Sequence, residues 1–121
     1  MSRVIKSGTG WRVGWDATAP VFKALVGSDT WSLELTEAEW QDFSRLLTQL
    51  ATSMAQMQAE LMDEEAIACE METERVWLEA DGFPTAYRLH LIVLTGRRGE
   101  GMWQAEAVPD LLQAVHQIQV F

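Results

Sequence analysis

One cysteine, Cys69, is all this chain has, so no disulfide can close within it and no second thiol can share a metal. A reducing compartment fits, and the sequence predicts a cytoplasmic protein. Long apolar runs are missing too. The longest aliphatic stretch, Leu91-Ile92-Val93-Leu94, falls far short of a bilayer span, so no membrane attachment is predicted. There is no low-complexity tract, and three prolines among 121 residues exclude a proline-rich chain. Bases are scarce, nine against eighteen acids, for a net charge of -9. Such a balance repels polyanions at long range and disfavours non-specific nucleic-acid binding. The two histidines, His90 and His116, are too far apart to form a local zinc pair and read as surface or boundary residues. No phosphate-binding loop, dinucleotide fingerprint or nucleophile elbow occurs. Cys69 lies beside Glu70, a setting that disfavours a thiolate nucleophile, and reads as a small core residue. The sequence therefore predicts no catalytic residue, no metal site and no cofactor.

What is present describes a folded domain. An apolar content of 48% with 22% charged residues suits one globular unit that buries roughly 65% of its unfolded surface. Charge is segregated: residues 60–81 hold nine of the acids and a single base, Arg75. Within that segment Glu70, Glu72 and Glu74 alternate along a predicted strand. Without a glycine-anchored Asp/Asn loop they read as a solvated acidic face rather than a cation site.

Thr36-Glu37-Ala38-Glu39 is a capping box, with Leu35 and Trp40 placed as its hydrophobic staple. From there Trp40, Phe43, Leu47, Leu50, Met54, Met57 and Leu61 recur at steps of three and four, which predicts a helix to about Met62. At roughly 26 residues and about 39 Å it needs an equally long cover, a sheet or a second copy of the chain, so monomer and homodimer both stay open. Alternating positions predict strands at Trp11–Asp16, Val21–Val26 and Trp31–Leu35, with an edge strand at Arg3–Ser7. Beyond the helix come Ile67–Glu72, Val76–Ala80, a turn at Asp81-Gly82-Phe83-Pro84, and Tyr87–Val93. Pro109 opens a short final helix with Leu111, Leu112, Val115 and Ile118 on one face. The predicted class is α+β: antiparallel β-meanders with one long central helix and a short C-terminal one. They form a single domain of two sheet-plus-helix halves, 1–62 and 63–121.

The candidate contact surface is the glycine-rich basic loop Thr95-Gly96-Arg97-Arg98-Gly99-Glu100-Gly101, followed by Trp103. Paired arginines keep their charge and glycines admit a close approach, so the loop suits an anion, a phosphate or a partner's carboxylates. The plainer reading is a solvated loop with the arginines paired to Glu100 or Glu106. Six of the eleven aromatic residues are tryptophans. Trp31 and Trp40 read as core, whereas Trp11, Trp15 and Trp103, with Arg12, Arg97 and Arg98, could stack bases and meet phosphates.

Three segments in combination carry a family resemblance: Gly8-Thr9-Gly10-Trp11-Arg12-Val13-Gly14-Trp15-Asp16, Glu34-Leu35-Thr36 with the helix containing Asp42-Phe43, and the arginine loop. They resemble a small cyanobacterial family of unknown function. The resemblance spans nearly the whole chain and implies a fold similar to the single-stranded-DNA-binding transcriptional regulator superfamily. That superfamily includes the plant Whirly proteins and is built from units of four strands and a helix. Of the Whirly Lys-Gly-Lys-Ala strand motif, Lys23-Ala24-Leu25 is the echo in this chain. Two function classes follow. The first is a non-enzymatic domain that binds a protein partner through the arginine loop with Trp103, or through the acidic strand face. The second, implied by the resemblance, is binding of single-stranded nucleic acid with a role in transcription. An enzyme acting on a small anion is a third class and requires a concave pocket lined by the arginines.

Overall fold

The computed structural model describes residues 3–60 and 65–118. Four strands, β1 (Arg3–Gly8), β2 (Trp11–Asp16), β3 (Ala24–Gly27) and β4 (Ser32–Leu35), form an antiparallel meander and lead into helix α1 (Glu37–Gln58). The pattern then repeats. Strands β5 (Ile67–Glu72), β6 (Val76–Phe83), β7 (Ala86–Val93) and β8 (Glu100–Trp103) form a second meander, and a 3-10 turn at Ala105–Ala107 leads into helix α2 (Val108–Ile118). The chain is α+β, with two four-stranded sheets, a long helix and a short one, and the edge strand at its start is present.

The capping box forms as the sequence predicts. Thr36 Oγ1 accepts from the Glu39 amide at 3.2 Å, and Glu39 Oε1 accepts from the Thr36 amide at 2.9 Å. Helix α1 is shorter than its periodicity predicts, 22 residues or about 33 Å. Its buried seam runs through Trp40, Phe43, Leu46, Leu47, Leu50 and Met54, while Met57 is half-buried and Leu61 and Met62 lie outside the described residues.

Three local boundaries differ from the sequence reading. Strand β3 starts at Ala24 because Ala17–Lys23 is a closed loop: the Asp16 amide donates to Lys23 O at 2.7 Å, and Lys23 Nζ donates to the carbonyls of Ala17 and Ala19. Strand β6 runs on through Asp81, Gly82 and Phe83, and Phe83 pairs with Ala86, so the turn is only Pro84-Thr85. Gly82 makes this continuation possible, since at φ +145° a Cβ would meet Ala86 O at 2.8 Å. Glu100 and Gly101, read as loop, open strand β8, whose Gly101 pairs with Leu91.

The helices cross over. Helix α1 lies against β5 and β6 of the second sheet, and α2 lies against β2 of the first, so each half's helix covers the other half's sheet. The sheets adjoin where β4 meets β8. Trp103 sits fully buried at this junction, its Nε1 donating to Gly27 O at 2.8 Å, edge-on to Trp31 and tilted against Phe43. Cys69 is half-buried against the same core.

Candidate functional site

Arg97 of the arginine loop is engaged within its own chain. Glu39, only 3% exposed, turns its carboxylate from the helix start toward the β7–β8 connection. There Arg97 Nη2 donates to Glu39 Oε1 at 2.5 Å and Thr95 Oγ1 donates to Oε2 at 2.6 Å. Arg97 also donates to Glu34 O and lies over the Phe22 ring at 4.4 Å. Burial acts to raise the Glu39 pKa. Hydrogen bonds from Thr95 and the Thr36 amide, with the Arg97 charge, outweigh it and hold the carboxyl below the ordinary glutamate value. The partners read from sequence are therefore not the ones found: Arg97 pairs with Glu39, and Glu100 pairs with His90 at 2.8 Å.

A second grip of the same design sits one turn along the helix. Asp42, 6% exposed, accepts from Thr73 Oγ1 at 2.8 Å and from Arg75 Nη1 at 3.2 Å. Thr73-Glu74-Arg75 joins β5 to β6, and Thr95-Gly96-Arg97 follows β7. The two turns touch, the Leu94 amide donating to Arg75 O at 2.8 Å. Two Thr-x-Arg turns of one sheet thus hold the first two turns of the other half's helix. The signal was present in the sequence as a repeated tripeptide and two carboxylates three residues apart, Glu39 and Asp42.

Two of the loop's three glycines also serve the fold. A Cβ on Gly101 would strike the Trp31 indole and one on Gly99 would lie 2.5 Å from Leu33, so the backbone they expose is covered by the first sheet. Arg98 projects from the tip, exposed and in the left-handed region at φ 51°.

The proposed stacking group does not share one surface. Alternation along β2 puts Arg12 on the outer face of the first sheet and Trp11 and Trp15 on the inner face. Trp15 packs on Trp40 with ring centroids 6.2 Å apart, Trp11 is 9% exposed, and Trp103 is closed to solvent. The Arg12 Nε is buried without a hydrogen-bond partner among the described residues. Neither Arg97 nor Arg98 lines any of the four hollows described on the surface.

A second open face, besides the outer side of the first sheet with its exposed Ile5, is the outer face of the second sheet. Its rows, read across the register, are Glu72, Trp77, Ile92, Glu100, then Glu70, Glu79, His90, Met102, then Ala68, Asp81, Arg88. Arg88 pairs with Asp81 at 2.6 Å and His90 with Glu100. Among the described residues, no ion pair engages Glu70, Glu72 or Glu79. Trp77 stands half-exposed amid these acids, edge-on to His90 at 5.2 Å. Among the described residues no three His, Cys, Asp or Glu side chains converge as a metal-binding group, and no helix is long and apolar enough to cross a membrane.

No curated protein matches the sequence. The fold is similar to a crystal structure from Prochlorococcus sp. NATL2A, a protein with unknown function from the DUF155 family. The two share 25% identity and a TM-score of 0.91, over 96% of this chain and 98% of that one. Residues 6–118 match the family described as Domain of unknown function (DUF1818), and on that extent this chain belongs to it.

Proposed function

We propose that this protein is a non-enzymatic cytoplasmic interaction domain whose acidic second-sheet face docks a basic segment of a protein partner. The observation that carries this is the register of β5 and β6, which sets Glu70 directly opposite Glu79 with no ion pair engaging either among the described residues. Like charges facing across a strand pair destabilise it, and a lysine or arginine from outside relieves that repulsion. Trp77, Ile92 and Met102 in the same rows supply apolar and polarisable contact beside the charge. Of the two surfaces named from sequence, the acidic face fits better, because Trp103 is buried and Arg97 is held by Glu39.

The test is a titration of a lysine- and arginine-rich peptide followed by calorimetry at low and physiological salt. Binding that weakens with salt and is weaker in Glu70→Gln/Glu79→Gln is the expected result. Binding untouched by that variant, or none at low salt, overturns the reading.

A second reading rests on the repeated unit of four strands and a helix, which fits a resemblance to the Whirly-like single-stranded-DNA binders. Against it, Lys23 is tied to loop carbonyls and the three tryptophans do not form a platform. Oligonucleotide binding lost in Arg12→Ala/Arg98→Ala would replace the protein-partner reading.

A further inference from the structure

A hollow of about 460 Å³ opens where the first sheet's hairpin ends meet the exit of β8. Its walls include Asp29, Thr30, Trp31, Met102, Gln104 and Glu106, and no lysine, arginine or histidine lines it. We infer that this hollow receives an arginine or lysine side chain of the basic partner, a proposal that rests on the docking face described above.

The chemistry of the walls selects a cation with an apolar stem. Two carboxylates and no base repel an anion. Asp29 uses one oxygen, Oδ1, to accept from the Gly10 amide at a long 3.3 Å, and among the described residues its other oxygen has no partner. Among the described residues no hydrogen bond or ion pair engages Glu106. The Trp31 indole is pinned: its Nε1 donates to Met102 O at 3.0 Å, it lies over the Gly101 backbone, and its edge relation to Trp103 fixes its tilt. A ring so held adds cation–π attraction with little further ordering, and the Met102 thioether, 39% exposed, packs against an alkyl stem.

Met102 also ties the hollow to the docking face. It ends the row Glu70, Glu79, His90, Met102, so a segment lying along that row runs from the repelling pair to the mouth of the hollow. From the midpoint of that pair to β8 is two and a half strand spacings, about 12 Å, or roughly four residues of extended chain. The partner's two anchoring cations should therefore stand about four to five residues apart, one over Glu70 and Glu79 and one between Trp31, Asp29 and Glu106.

The experiment uses the full chain, isotopically labelled, and follows amide and indole resonances. Nα-acetyl-arginine amide is titrated first, beside its neutral isostere Nα-acetyl-citrulline amide. The expected result is saturable shifts at Gly10, Thr30 and the Trp31 indole N–H. They should be about fivefold weaker in affinity for citrulline and in Asp29→Asn/Glu106→Gln, the scale of a cation–π contact plus a screened charge pair. The carboxamide introduced by Asp29→Asn keeps an oxygen for the Gly10 amide, so that variant preserves the turn. Equal binding of citrulline, which needs no variant to read, overturns the proposal. A peptide with two arginines four residues apart is titrated next. If it shifts Trp77 and His90 but leaves Trp31 and Gly10 still, the docking face stands and the hollow proposal falls. If the arginine amide fills the hollow but no peptide perturbs the face, the docking reading falls, and with it the partner assigned to the hollow. In Glu70→Gln/Glu79→Gln the peptide should weaken while the arginine amide binds as before.

Discussion

Glu39 joins three tasks in one side chain: it closes the capping box, it receives Thr95, and it pairs with Arg97. Removing it leaves Arg97 partly desolvated and two donors without their acceptor. Glu39→Ala should cost about 2–3 kcal/mol by urea unfolding, below the range for a fully buried pair because Arg97 is 39% exposed. The pH dependence follows from the direction of its shift. A carboxyl whose folded pKa lies below its unfolded value contributes fully above the ordinary value of 4.5 and loses that contribution as pH falls through the folded pKa. The gap between wild type and Glu39→Ala should hence be constant near neutrality and close progressively below pH 4.5. A gap that is flat into strong acid would show the charge to be irrelevant. Gly101→Ala is a second residue-scale test, because its new methyl would strike the Trp31 ring. A loss of about 1–3 kcal/mol with a shift in tryptophan emission is expected, and a silent substitution would show that the β4–β8 junction yields.

At the scale of elements, the decisive feature is the exchange of helices. Each meander presents an apolar inner face whose cover is encoded in the other half: α1 for β5 and β6, α2 for β2. A fragment of residues 1–62 would carry the long amphipathic helix without the sheet it lies on. Its own sheet would lack α2. Fragments 1–62 and 63–121 should therefore each show little fixed tertiary structure by near-ultraviolet circular dichroism, and an equimolar mixture should recover the native spectrum. A fragment that folds cooperatively alone would refute this account of the core. The two Thr-x-Arg turns give the exchange its register, since each locks a carboxylate of α1 to a loop of the second sheet.

For the whole molecule, charge segregation becomes a surface property. Of the acids concentrated in residues 60–81, Glu70, Glu72, Glu79 and Asp81 share the outer sheet face. Glu70 faces Glu79 across the strand pair, an arrangement expected to reduce stability and, on the proposed reading, to leave a site ready for a cation. Glu79→Lys should raise stability by about 0.5–1 kcal/mol at low salt, and less as salt screens the original repulsion, while abolishing the binding of a basic peptide. Stability that falls on this change would mean that the glutamates are not in conflict.

The sequence alone determined the elements whose signals are local. The capping box at Thr36 and Glu39, the helical seam from Trp40 to Met54, and the strict alternation of Ile67–Glu72 and Tyr87–Val93 each depend on neighbours within a few residues. The same locality explains the errors. The Val21–Lys23 segment is apolar enough for a strand, but the Lys23 contacts that make it a loop are set by chain closure. The arginine loop looked available because its partners, Glu39, Glu34 and Phe22, lie some sixty residues or more away along the chain. Only the tertiary structure could engage Arg97 inside the molecule, bury Trp103 at the sheet junction, and leave the acidic face of the second sheet open. Composition and spacing specify which groups a chain owns. Packing decides which of them are satisfied by one another and which still face the solvent.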